Sequence, residues 1–314
     1  MDTRSKVLVI AIVTLLLLAG CGDSIPPTAL EPTGAPAVVP TGAPTARPTP
    51  VPPTTAPEVP TEAPAPAGDG RVQGWAVLAE KDDYTDVEMT NLLVGYIGVV
   101  QIRQVLEDSG WATDQIREVR EFDRETLVEA LDWLEANADQ DDIVVVYIAA
   151  HGMYLKRVLL WHEFFAGEWE DIPSHRRLLL IDSCQAANYT SAILSDPAPF
   201  LAIAAVAGDE YGWSGLEEEG LPIIGGVFTH YFAAAFDDPQ ADADGNGMVS
   251  AQEAAALAEE QQRTYMHEVV FAVDEFVEGY HEIGVYPERD PGFPDVVVDD
   301  TIGEPLYLDL DAYR

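Results

Sequence analysis

Residues 141–152 read Asp-Asp-Ile-Val-Val-Val-Tyr-Ile-Ala-Ala-His-Gly, and residues 177–186 read Arg-Leu-Leu-Leu-Ile-Asp-Ser-Cys-Gln-Ala. In each, a charged residue opens an unbroken apolar run, and the run stops at a reactive side chain. A run such as 143–150 has no polar face, the pattern of a strand buried on both sides. Strands of that kind belong to a parallel sheet covered by helices on both faces. The reactive groups of such sheets gather at the carboxyl ends of the strands. His151 and Cys184, 33 residues apart, are therefore expected on one edge of one sheet.

Working outward, residues 74–79 and 200–207 read as further buried strands, and 116–122 alternates as another. Residues 89–107 carry a helical pattern with two internal glycines. Asp123 is placed to cap a helix in which Leu127, Leu131, Leu134 and Ala138 recur at helical spacing. Strands alternating with helices give an α/β fold with a mostly parallel sheet.

Cysteine is a nucleophile and histidine its usual base, so Cys184 and His151 at neighbouring strand ends point to a Cys–His dyad. Gly152 lets a substrate approach the backbone closely. The two segments resemble the signature segments of the caspase/legumain-type cysteine peptidases, with His-Gly on one strand and Asp-x-Cys on the next. That order is similar to caspases, metacaspases, legumains and the catalytic subunit of the GPI transamidase. The segment Gly-Val-Phe-Thr-His-Tyr-Phe at 226–232 resembles the helix after the substrate-wall loop of bacterial relatives. The resemblance covers most of residues 72–260 and implies a caspase-like sandwich. It implies a peptide substrate attacked by Cys184, with His151 as acid–base and the N–H groups of Gly152 and Cys184 as the oxyanion hole. Asp182 would help form the primary specificity pocket, favouring a cationic or amide side chain, so cleavage after Arg, Lys or Asn is expected.

The 314-residue chain has 16 basic and 55 acidic residues, a net charge of −39, which makes nucleic-acid binding improbable. Two cysteines, Cys21 and Cys184, are too few for a disulfide framework or a multi-cysteine metal site. Arg4 and Lys6 precede an apolar run from Val7 to Leu18, and Leu-Ala-Gly-Cys at 18–21 resembles the bacterial lipobox. A signal peptide over 1–20 and lipidation of Cys21 are expected. This puts the protein on the extracytoplasmic face of a bacterial cell membrane, held there by its lipid anchor. Cleavage would remove Asp2, Arg4 and Lys6, taking the net charge to −40. Residues 22–70 hold 14 of the 23 prolines and no aromatic residue, so they cannot build a core. They read as a tether reaching on the order of 100 Å, and residues 71–314 as the folded domain.

Residues 242–253, Asp-Ala-Asp-Gly-Asn-Gly-Met-Val-Ser-Ala-Gln-Glu, match an EF-hand loop. Asp242, Asp244, Asn246, Ser250 and Glu253 would offer side-chain oxygens to calcium and Met248 its carbonyl, with Gly247 at the sharp turn. The alternative is an acidic turn capping a helix that starts near Ser250. Loop carboxylates at Asp82, Asp83, Asp86, Asp209 and Glu210, in the loops 80–86 and 208–215, could add negative charge to a substrate cleft but singly read as solvated surface charge, and residues 306–310 as an edge strand or covering segment. No His-Glu pair has a second His four residues after the first, which excludes a zinc-protease helix. The combined expectation is a surface-anchored cysteine endopeptidase with a structural calcium site. Its rivals are a catalytically silent calcium-stabilised binding module and a transpeptidase sharing the acyl-enzyme.

Overall fold

The computed structural model describes residues 68–314 apart from Ile283. The segments expected to be signal peptide (1–20) and most of the expected tether, with Cys21, lie outside these residues. Eight strands form among the described residues: β1 Gly74–Glu80, β2 Ile116–Arg120, β3 Ile143–Ala149, β4 Arg176–Asp182, β5 Phe200–Ala204, β6 Ser214–Gly215, β7 Gly225–Gly226 and β8 Val297–Asp300. Six build one sheet in the order β2-β1-β3-β4-β5-β8, and β6 pairs with β7 alone. The first five are parallel, and β8 closes the edge antiparallel to β5. This is the expected α/β caspase-like architecture.

Burial explains the apolar runs. Side chains of β1, β3, β4 and β5 are almost wholly buried, so both faces of the sheet are covered. Helices Ile97–Asp108, Val227–Ala235 and Ala251–Tyr265 pack in succession, and Arg124–Asn137 meets Phe165–Glu170 in a second group. Asp123 caps Arg124–Asn137 in a reciprocal box with Thr126, as its position predicts. Asp142, at the head of β3, accepts hydrogen bonds from Gln73 N and Trp75 Nε1 and so ties β1 to β3. Arg177 is fully buried against Asp196 at 2.7 Å, with its guanidinium over the Trp169 ring.

The start of one helix differs from the sequence pattern, and the two readings of 306–310 are resolved. The helix expected over 89–107 starts only at Ile97. Upstream, Leu93, Gly95 and Tyr96 take positive φ, and Asp82 draws the Val94 and Gly95 N–H groups out of helical register. Residues 306–310 cover the core and do not join the sheet edge; Leu306, Leu308 and Leu310 are buried, and the edge is β8. Gly98, one of the two glycines in that pattern, lets the helix press onto the sheet. A Cβ there would lie 2.1 Å from the Tyr147 hydroxyl.

Candidate active site

Strand order places the crevice. From β1 the chain winds to β2 on one side, and from β3 to β4 and β5 on the other. The reversal between β1 and β3 is a topological switch point, where loops from the carboxyl ends part and leave room for a ligand. The cavity there is lined by residues that include Glu80, Tyr147, His151, Asp182, Cys184 and Trp213. The structure thus brings His151, Cys184 and Asp182 to one cavity, at the sheet edge where the sequence places His151 and Cys184 together.

His151 follows β3 and is nearly buried. Its backbone N–H donates to the Tyr84 hydroxyl at 2.8 Å, and the Tyr84 ring lies 4.6 Å from the imidazole. Nε2 lies 2.9 Å from the Thr90 carbonyl, which can only accept, so Nε2 carries the proton and Nδ1 is left as the basic nitrogen. Burial lowers the His151 pKa, and the Thr90 carbonyl partly offsets it, so the ring is neutral at pH 7.

Cys184 sits two residues past β4, before a turn at Gln185 with φ 59° that opens the short helix Ala186–Thr190. The Gln185 N–H donates to the Glu210 carbonyl at 2.8 Å, pinning this turn. Only the reduced form of Cys184 has nucleophilic chemistry. Gly152 serves close packing of protein on protein. A Cβ on it would meet the Cys184 carbonyl oxygen at 2.3 Å, so the approaching backbone is the Cys184 turn itself. Tyr189 donates from its hydroxyl to the Gly152 carbonyl and locks the two turns together.

Asp182, the last residue of β4, is buried beside helix Val227–Ala235. Thr229 donates to its Oδ2 from both N and Oγ1, and a Cβ on Gly226 would collide with that oxygen at 2.2 Å. Burial raises the Asp182 pKa, and the two Thr229 hydrogen bonds oppose the rise.

Glu80 was legible only as the start of an acidic loop. It ends β1 as Asp182 ends β4, and a carboxylate at a strand's carboxyl end was the available signal. Burial pushes it up to about 7; the Val99 N–H opposes this, while Asp82 and Asp182 reinforce it. Asp82, read as surface charge, is buried and holds the loop that carries Thr90. Asp83 caps Thr85, Asp86 pairs with Lys81 at 3.5 Å, and Glu210 accepts from Ala207 and Asp295 N–H groups. Trp213 both lines the cavity and packs on Phe276 and Tyr280.

The 242–253 loop stands apart, joining helices Val227–Ala235 and Ala251–Tyr265. Oxygens of Asp242, Asp244 and Glu253 lie within 4.8 Å of one another. Asn246 and Gly247 N–H groups donate to Asp242, and Gly245 and Gly247 take positive φ. Asn246 Oδ1 accepts from the Met248 N–H, and its amide donates to the Tyr307 hydroxyl. Ser250 and Glu253 also form the capping box of the following helix, the feature expected of an acidic turn that starts a helix near Ser250. The donor set, all oxygen with three carboxylates, suits calcium.

A family model described as Caspase domain matches residues 73–265, more than half of the chain. A comparison with curated protein sequences finds no match. The matched segment holds β1 to β5, His151, Asp182 and Cys184. Such a domain suggests cysteine peptidase activity and implies a protein or peptide substrate. With the six-stranded sheet and that match, the chain belongs to the caspase-domain family.

Proposed function

We propose that the protein is a cysteine endopeptidase in which reduced Cys184 attacks the scissile carbonyl and His151 handles the proton. The observation that carries the reading is the shared cavity of His151 and Cys184, with Nε2 held by Thr90 so that Nδ1 is the base. Nδ1 would take the thiol proton and return it to the leaving amine. The N–H groups of Gly152 and Cys184 would face the developing oxyanion. Asp182 would receive the side chain before the scissile bond, a cationic or amide group from Arg, Lys or Asn. The acyl-enzyme would pass to water, or to an amine in transpeptidation; a catalytically silent binding module is the reading without chemistry.

Lipidation of Cys21 would anchor the domain on the extracytoplasmic face of a bacterial membrane. A thioether at Cys21 also consumes the chain's other thiol, which favours reduced Cys184. Calcium would be held by Asp242, Asp244, Asn246, Ser250, Glu253 and the Met248 carbonyl as a structural clamp between two helices. The test is peptide-library cleavage by the reduced protein, with and without calcium. Cys184→Ala and His151→Ala should each abolish turnover while leaving the fold intact. Wild-type turnover by Cys184→Ala would overturn the assignment.

A further inference from the structure

The Thr90 carbonyl that fixes the His151 ring sits on a loop that the core barely holds. Residues 83–95 run from the end of β1 to helix Ile97–Asp108. In this stretch only Tyr84 and Val94 are buried, and Leu93 is 64% exposed. Glu88 and Leu93 take positive φ, at 57° and 56°, a region that residues with side chains occupy at a cost. A loop with strained backbone and little apolar burial keeps its shape through polar anchors.

Those anchors meet at one side chain. Glu121 follows β2, which lies two strands from β3. Its Oε1 accepts the Asp82 and Asp83 N–H groups at 3.0 and 2.9 Å, where the loop begins, and the Tyr96 hydroxyl at 2.5 Å, where it ends. Its Oε2 faces the Lys81 ammonium at 3.4 Å. Asp82, fastened in this way, takes the Val94 and Gly95 N–H groups on its two oxygens. Lys81 is nearly buried, with its ammonium over the rings of Tyr84 and Tyr154. Tyr84 in turn donates to the Lys81 carbonyl and accepts the His151 N–H. Glu121 is itself held, since its N–H donates to the Glu80 carbonyl at 2.9 Å.

We infer that Glu121 is a positioning residue for the dyad: it closes the base of the 82–96 loop and through that loop holds the Thr90 carbonyl on Nε2 of His151. The inference deepens the peptidase reading and rests on it. Glu121 stays outside the cavity, to whose wall the loop supplies Leu92 and Val94. Its influence on chemistry must therefore pass through the loop. A carboxylate suits the task, because bonds from N–H and O–H donors to a charged oxygen are about twice as strong as neutral ones. An amide at 121 keeps an acceptor oxygen without the charge, and an alanine keeps neither.

Burial opposes the charge on Glu121, but Tyr96, the Asp83 and Asp82 N–H groups and Lys81 outweigh it and hold the carboxyl below its ordinary range. The anchor is thus ionised wherever His151 titrates. Tyr84 lies against the imidazole with Lys81 behind it, and Glu80, Asp182 and Cys184 share the cavity. Burial lowers the His151 pKa, and the Thr90 carbonyl opposes that fall. Releasing Thr90 should move the acid limb of kcat/KM to lower pH and let either ring nitrogen carry the proton.

The test uses the full chain under reducing conditions, as wild type, Glu121→Ala, Glu121→Gln and Tyr96→Phe. Long-range proton–nitrogen correlation spectra read the His151 tautomer without substrate, and thermal melts report folding. Cleavage of the best library peptide is followed against pH. Glu121→Ala should lower kcat by about 10²-fold, the loss expected of a misplaced group, with KM little changed. Its Nε2–H signal should give way to a mixture of tautomers. Glu121→Gln should recover part of the rate. Tyr96→Phe leaves the Lys81 ion pair in place and should show a smaller change of the same sign, and these two variants carry the test if Glu121→Ala does not fold. A wild-type tautomer and acid limb in the folded variants, whatever their rates, overturn the role of Glu121 alone. A tautomer that depends on Glu121, without cleavage of any peptide by wild type, overturns the peptidase reading alone. Absence of both cleavage and tautomer change overturns both.

Discussion

Replacing Gly152 with alanine tests whether the histidine and cysteine turns are held by backbone contact. The added Cβ would lie 2.3 Å from the Cys184 carbonyl oxygen and 3.2 Å from its carbon, where real Cβ atoms keep at least 3.0 Å. Both atoms belong to the backbone, so no rotamer change relieves the clash. The Cys184 turn is pinned through Gln185 to Glu210, and the Gly152 carbonyl is held by Tyr189. The two turns must therefore separate by about 0.7 Å or more, carrying His151 away from Cys184. A misplacement near 1 Å between reacting groups costs about 10²-fold in rate. Overpacking of this kind destabilises by about 1–3 kcal/mol, a small part of what would unfold the domain. The expected result is kcat/KM down about 10²-fold, with an unchanged far-ultraviolet spectrum and a Tm lower by a few degrees. The rate of Cys184 alkylation by iodoacetamide should fall as well, because the base has moved from the thiol. A Gly152→Ala protein with wild-type kcat/KM and Tm would refute the reasoning.

Glu80 should make stability depend on pH. Its native pKa, about 7, exceeds its ordinary 4.5, so the native state binds more protons and stability falls as pH rises through that window, by up to about 3 kcal/mol. His151, shifted down, contributes stability above its ordinary 6.5 and loses it toward acid. Comparing wild type with Glu80→Gln by urea unfolding at pH 5.5 and 8 cancels the histidine, and a stability difference equal at both pH values would contradict the assignment. Cys21→Ser should abolish lipid labelling and membrane retention; equal labelling of the variant would exclude the anchor. Calcium at ten times its dissociation constant should stabilise the fold by roughly 1.4 kcal/mol. That constant is expected at about 10⁻⁴–10⁻³ M. Glu253→Ala should lose the shift in Tm, and an equal shift in both proteins would trace it to diffuse surface charge.

The strands that carry the site were legible because each is a local pattern: an apolar run with no polar face, ended by a reactive residue. His151, Asp182 and Cys184 were found that way. The helix boundary at Ile97 was not, because what unwinds residues 89–96 is a carboxylate on another segment, Asp82, capturing the Val94 and Gly95 N–H groups. Composition alone makes Asp82 one acidic residue among 55. The partner of His151 is a further case. A backbone carbonyl has no residue type, so nothing in the letters marks Thr90 as the group that fixes the imidazole tautomer.

Strand order was the missing quantity for the pocket. Sequence gives β1 and β3 as neighbours in time, but which strands flank each other depends on the crossover directions. Once the order is β2-β1-β3-β4, the ends of β1 and β4 lie on either side of β3, and an alanine at position 149 becomes the gap between two carboxylates. The glycines acquire their reasons at the same step. Gly152 is small because Cys184 passes over it, and Gly226 because Asp182 occupies its side-chain space. The Asp182 wall begins the helix that leads into the 242–253 loop. That nine-residue helix is about 13 Å long, and six further residues separate its end from the loop, so the Asp182 wall and the oxygen cluster belong to one continuous stretch of chain.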